Sequence, residues 1–166
     1  MGYPGAGKTT TAEIIAKLTG ARHLSSDHIR RELFPEITDF THFTQAQHDK
    51  LYAYIDAETE RLLGEGKSVI YDANLNRYQH RVEKYAICER THATALLCWI
   101  DTHPDTAKRR IKEGVGDPKR PNFGEIDEAT FERLANVIEN PHQDEPIVKI
   151  DGQTITSDIV RAALHL

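Results

Sequence analysis

Gly2-Tyr3-Pro4-Gly5-Ala6-Gly7-Lys8-Thr9 fills every fixed position of the pattern G-x-x-x-x-G-K-[ST]. Glycines at 2, 5 and 7 let the backbone curl until successive N–H groups face one concavity, which side chains there would close to a polyphosphate. Lys8 can reach β- and γ-phosphates, Thr9 offers a hydroxyl to Mg²⁺, and the helix that starts there turns its positive end toward the anion. Gly5, Ala6, Gly7, Lys8, Thr9 and Thr10 are therefore the candidate ATP-binding residues, with Thr9 also a candidate metal ligand. The loop runs straight into a helix, because Thr11, Ile14, Ile15 and Leu18 recur at helical spacing and Gly20 is a stop signal. A phosphate loop normally follows a buried parallel strand, yet only Met1 precedes Gly2. Either an upstream segment is missing or the sheet is one strand short, and a short sheet would leave unpaired edges and an apolar face.

Strands and helices alternate along the rest of the chain. Arg22 to Ser26 reads as a strand that delivers Asp27 to its carboxyl end, and His28 to Phe34 as a short helix stopped at Pro35. Residues 35–43 read as a loop; Thr44 and Gln47 then form a capping box for a long helix ended by Gly64 and Gly66. Lys67 to Tyr71 is a second strand ending on Asp72, and Arg77 to about Thr91 is helical. Ala93 to Ile100 is an apolar run expected to be a strand buried on both faces. Thr102, Pro104 and Asp105 start a helix to about Lys112. Residues 113–124 carry three glycines, two prolines and a basic pair, the pattern of a mobile lid, here taken as about 112–124. Asp127 caps a helix to about Ile138, Ile147 to Ile150 is the last strand, and Thr156 or Ser157 caps a terminal helix. The alternation predicts an α/β three-layer sandwich around a parallel sheet, in one domain over 1–166.

Composition bounds the function. Hydrophobic residues at 39% and charged residues at 28% fit a globular chain, and a net charge of −5 argues against a protein that coats nucleic acid. There is no leader pattern or long apolar run, so a cytoplasmic protein without a membrane partner is expected. Cys88 and Cys98 lack metal-binding spacing and read as reduced core residues.

Ligand-contacting residues in such a sheet lie beyond the carboxyl ends of the strands, where Asp27 and Asp72 both fall. Asp72 follows the apolar Val69-Ile70-Tyr71, the arrangement in which a carboxylate holds Mg²⁺ directly or through water; the alternative is a carboxylate that caps a turn. Asp27 and Arg30 share a helix face, so a carboxylate can take a hydroxyl proton while a guanidinium holds an anionic acceptor; a solvated ion pair is the plainer alternative. Asp72-Ala73-Asn74-Leu75-Asn76-Arg77, with Arg81 beyond it, offers Asn74 and Arg77 to an acceptor. Lys108-Arg109-Arg110 beside the lid can neutralise charge on a transferring phosphoryl group, although one arginine must point away.

Gly-x-Pro-Gly-Ala-Gly-Lys-Thr-Thr, Ser-Ser-Asp27-x-x-Arg30, Val-Ile-x-Asp72-x-Asn74-Leu75-Asn76 and Lys108-Arg109 together resemble the P-loop kinases grouped with the 5′-hydroxyl polynucleotide kinases. These are often described as AAA-type or kinase domains, with zeta-toxin-like and chloramphenicol phosphotransferase-like relatives. The resemblance implies a P-loop NTPase fold of nucleoside-kinase type with sheet order 2-3-1-4-5. It implies ATP and Mg²⁺ as ligands, Asp27 as general base, Arg30 on the acceptor, Asp72 at the phosphate site and Arg109 in the lid. Adenine would lie near the lid base and the loop Asp151-Gly152-Gln153-Thr154. The polynucleotide kinases place a second lid arginine where this chain has Glu113, with Arg110 or Arg120 as substitutes. The implied activity is transfer of the γ-phosphate to a hydroxyl, on a 5′-hydroxyl polynucleotide or a small metabolite. An ATP-driven switch without kinase activity is the other class.

Overall fold

In a computed structural model, which describes residues 1–37, 43–114 and 126–166, the first strand β1 (Arg22–Ser25) lies parallel to β2 (Val69–Asp72), with Ser25 opposite Asp72. A second parallel pair joins β3 (Leu97–Asp101) to β4 (Ile147–Asp151). These are the outer pairs of the expected order, 2-3 and 4-5. At the free edge of β3, Met1 extends the ladder: its ammonium donates to the Cys98 carbonyl at 2.6 Å, and its own carbonyl accepts from the Ile100 N–H at 3.0 Å. A cleft of about 780 Å³ separates β2 from β3, lined by Ile15, Leu63, Ile70, Ile87 and Leu97 among others. Every residue of β2 is consequently only half-buried. The lid residues 115–124, Arg120 among them, and loop residues 38–42 lie outside the described residues.

Helices cover both pairs. α1 (Lys8–Thr19) ends on Gly20 in the left-handed region, as its sequence requires. α2 (Ser26–Leu33) and α3 (Gln45–Gly64) enclose one core of Leu24, Ile29, Phe34, Leu51, Ile55 and Leu62, and both halves of the Thr44/Gln47 capping box form. α4 (Tyr78–Arg90) follows β2, and α5 (Pro104–Glu113) follows β3. α6 (Glu128–Ala135) is capped by Asp127, and α7 (Ser157–Leu164) by Thr156; α1 and α7 pack a second core with Ala6, Ile100, Ile150 and Val160.

Several boundaries differ from the sequence expectation, among them β2, which starts at Val69 rather than Lys67, and α2, which starts at Ser26 rather than His28. β3 starts at Leu97 rather than Ala93, and only Leu97 and Ile100 in it are buried, with Cys98 and Trp99 half-buried and Asp101 exposed, rather than the strand being covered on both faces. Its partner begins at Ile147, directly after Pro146, whose nitrogen has no proton to continue the ladder. The cap of α5 is His103, whose Nδ1 accepts from the Asp105 N–H, because the Thr102 hydroxyl donates to Ala6 O instead. α6 stops at Ala135, short of Ile138; the Glu139 N–H then donates to Asn76 O, and its carboxylate accepts from the Tyr78 N–H.

Candidate active site

The phosphate loop is fixed at both ends. Met1 is tied to β3, and α1 begins at Lys8 directly after Gly7. Gly5 (φ 75°) and Gly7 (φ 96°) both sit in the left-handed region, where a Cβ would be strained and would run into Ala107 O and Ile155 respectively. Gly7 caps the helix without a side-chain bond, so the first-turn N–H groups of Lys8, Thr9 and Thr10 point outward as anion donors. Lys8 Nζ donates to Gly2 O at 3.0 Å and Tyr3 O at 2.8 Å, which leaves one of its three protons for a phosphate. Burial pushes the Lys8 ammonium down to about 8, against the charges of Asp72 and Asp27, which raise it.

The two carboxylates meet on one rim because Ser25 pairs with Asp72 and α2 starts at once after Ser25. Asp27 Oδ1 accepts from Arg30 Nη1 at 2.8 Å, with both side chains under one-fifth exposed. Burial raises the Asp27 carboxyl above the usual carboxylate range, and the Arg30 charge opposes the shift. Arg30 also lies over the Phe43 ring, and the Tyr52 hydroxyl, itself pushed up by burial, feels the charges of Arg30 and Asp27. Asp72 Oδ2 accepts from His23 Nε2 at 3.0 Å, a partner that sequence reasoning missed.

Asn74 and Arg77 are exposed at the turn between β2 and α4, where Arg77 is the helix cap. Arg81 faces the opposite way. It is fully buried, grips both oxygens of Glu145 at 2.6 and 3.0 Å, and donates to Leu75 O and Asn76 O. Of the arginines on α5, Arg110 donates to Gly152 O at 2.7 Å, Gln153 O at 2.8 Å and, at 3.4 Å, Ala6 O. That joins the 151–154 loop to the phosphate loop. Arg109 stands 67% exposed beside Glu113, and Lys108 pairs with Glu128 and Glu132 across to α6.

Residues 1–141 match the family model described as AAA domain (AAA_33). The chain belongs to this AAA domain family. Curated relatives of this AAA domain include uncharacterized proteins of Mycobacterium tuberculosis and Mycobacterium bovis, 32% identical over 123 residues. The match takes in 69% of the chain and 25% of each relative, so the chain spans about a quarter of their length. Among solved structures it is similar to a sugar kinase from Janibacter sp. (TM-score 0.70, 17% identical, 99% of this chain and 90% of that one). A gluconokinase from Sinorhizobium meliloti matches with TM-score 0.66 and 18% identity over 99% and 87% of the two chains. Deoxyadenosine kinase from M. mycoides gives 0.56, 15%, 99% and 94%. The fold is the α/β fold of P-loop NTPase kinases.

Among the described residues of the AAA domain no three His, Cys, Asp or Glu side chains cluster as a metal cage. A divalent ion held by one hydroxyl, one carboxylate and the substrate's own phosphates needs none, and Thr9 and Asp72 are a hydroxyl and a carboxylate of that kind. No described helix is long and apolar enough to cross a membrane.

Proposed function

We propose that the chain is an ATP- and Mg²⁺-dependent phosphotransferase that moves the γ-phosphate to the hydroxyl of a small acceptor, with residues 1–166 forming one kinase unit. The observation that carries this reading is the part-buried Asp27–Arg30 pair on the rim that also holds Lys8 and Asp72. A pure ATPase has no need of a carboxylate with a raised pKa braced by an arginine at that place.

The phosphate chain of ATP lies on the N–H groups of Gly5 through Thr10, with Lys8 on its β- and γ-oxygens and adenine near Gly152. Mg²⁺, held by Thr9 and Asp72, would offset charge between the β- and γ-oxygens. Asp27 takes the proton of the attacking hydroxyl, Arg30 orients the acceptor, and Asn74 and Arg77 border its entrance. Arg109 is the lid arginine, since Arg110 is engaged by the 151–154 loop and by Ala6. A small acceptor is supported by the kind of enzyme the structural neighbours are named for. Asn76, the last residue of the D-x-N-L-N element that suggested a 5′-hydroxyl polynucleotide, is buried against the phosphate loop instead of facing an acceptor.

A coupled assay of ADP release over sugars, sugar acids, nucleosides and 5′-hydroxyl oligonucleotides tests the reading. Stimulation by one small-molecule class supports it; stimulation by oligonucleotides alone moves the acceptor to nucleic acid. ATP hydrolysis indifferent to every acceptor and to Asp27→Asn favours a switch module.

A further inference from the structure

Asn76 lies 74 residues from Gly2 in the chain, yet its side chain closes both hydrogen-bonding groups of that glycine's backbone. Oδ1 accepts from the Gly2 N–H at 3.0 Å, and Nδ2 donates to Gly2 O at 3.2 Å. The amide orientation is forced, because an N–H can only give and a carbonyl can only accept. Asn76 is itself held on every side. Its N–H donates to Asn74 Oδ1, and its carbonyl accepts from Arg81 Nη1 and the Glu139 N–H. Only 5% of it is exposed, so its side chain is aimed by its surroundings. Gly2 O is also one of the two carbonyls that receive Lys8 Nζ, the other being Tyr3 O.

We infer that Asn76 is a positioning residue for Lys8: by fixing the Gly2 peptide it aims the Lys8 ammonium so that its remaining proton faces the outer phosphates of ATP. The inference rests on the ATP-binding reading of the phosphate loop. It gives the last position of D-x-N-L-N a role on the nucleotide side of the site, and it links the loop after β2 mechanically to the phosphate loop. Without the amide, the Gly2 peptide is free to rotate and the carbonyl that steadies Lys8 moves with it. Nucleotides that end at the α-phosphate do not reach Lys8, so their binding depends on loop N–H groups alone.

The test is calorimetric binding of ATP and AMP to the wild type, Asn76→Ala, Lys8→Ala and the double variant, with melting curves for each. Asn76→Ala should lower the ratio of ATP to AMP affinity about tenfold and leave AMP affinity within about twofold. In the Lys8→Ala background Asn76→Ala should leave that ratio unchanged, since the group being aimed is gone. Should Asn76→Ala fail to fold, Asn76→Ser, a smaller polar change whose hydroxyl is one atom too short to close both bonds to Gly2, carries the same comparison. Equal loss of ATP and AMP affinity, or a full further loss in the Lys8→Ala background, would overturn the inference and leave Asn76 a structural residue. A wild type that does not prefer ATP to AMP would instead defeat the nucleotide reading itself, whereas an unchanged ratio in a folded Asn76 variant defeats only this inference.

Discussion

Replacing Arg81 with methionine removes the partner of a buried carboxylate. Glu145 is 3% exposed and bound by Arg81 through both oxygens, with further bonds from the Tyr85 hydroxyl and the His142 N–H. Left alone, that carboxylate keeps its desolvation cost without its compensating charge, so Arg81→Met should destabilise the fold by about 3–5 kcal/mol. Glu145→Leu strands the fully buried guanidinium in the same way, whereas Arg81→Met with Glu145→Leu removes both charges and should cost less than either single change. The pair also carries a pH signature. Burial works against ionised Glu145, but the bonds from Arg81, His142 and Tyr85 outweigh it and hold the carboxyl at about 2, below its ordinary 4.5. A depressed carboxyl stabilises the folded state above its unfolded pKa and loses that stabilisation as pH falls through the folded one. About 3 kcal/mol should therefore disappear between roughly pH 4.5 and 2 in the wild type, and that loss should be missing in the double variant. Urea unfolding of the four proteins at pH 7 and across the acid range measures both effects. Single variants within about 1 kcal/mol of wild type, or a double variant whose loss equals the sum of the singles, would refute the argument.

Three further outcomes are expected. Lys8 must be charged to hold phosphate, and with its pKa at about 8 in the free protein, ATP affinity should fall as pH rises through 8, a dependence that calorimetry should find absent in Lys8→Ala. Arg109→Ala should slow turnover by ~10²-fold or more while changing ATP affinity little, because an exposed lid arginine acts in the transition state; equal losses in turnover and binding would make it a binding group only. Among the described residues the cleft between β2 and β3 leaves the facing edge of β2 unpaired and that of β3 paired only at Met1, so the isolated chain should melt below roughly 65 °C, and a cooperative transition above that would contradict it.

What the sequence made legible is local. The phosphate loop, the Thr44/Gln47 box, and the Asp127 and Thr156 caps each rest on residues within eight consecutive positions, and each forms as its spacing dictates. The Asp27–Arg30 pair was readable for the same reason. The contacts that organise the site span the chain. His23 reaches Asp72 only because the register sets Ser25 opposite Asp72, which makes His23 and Asp72 diagonal neighbours on one face of the pair. With that register in hand, the sequence would have yielded the contact. Nothing periodic joins Arg81 to Glu145, 64 residues away, and no local pattern around Arg81 marks it as the partner of a buried carboxylate. The early start assigned to β3 failed on a partner's property: Pro146 ends the neighbouring ladder, and no pattern within Ala93–Leu96 records that.

The most direct test of the phosphotransferase reading is a single-turnover experiment. γ-Labelled ATP with Mg²⁺ is mixed with excess enzyme and the acceptor class selected by the ADP-release assay, in wild type and in Asp27→Asn, with ATP affinity measured alongside. The account predicts label on the acceptor hydroxyl in the wild type, and transfer slowed by at least about 10²-fold in Asp27→Asn with ATP affinity retained. Transfer at the wild-type rate in Asp27→Asn, or label found only in free phosphate in both proteins, would contradict it.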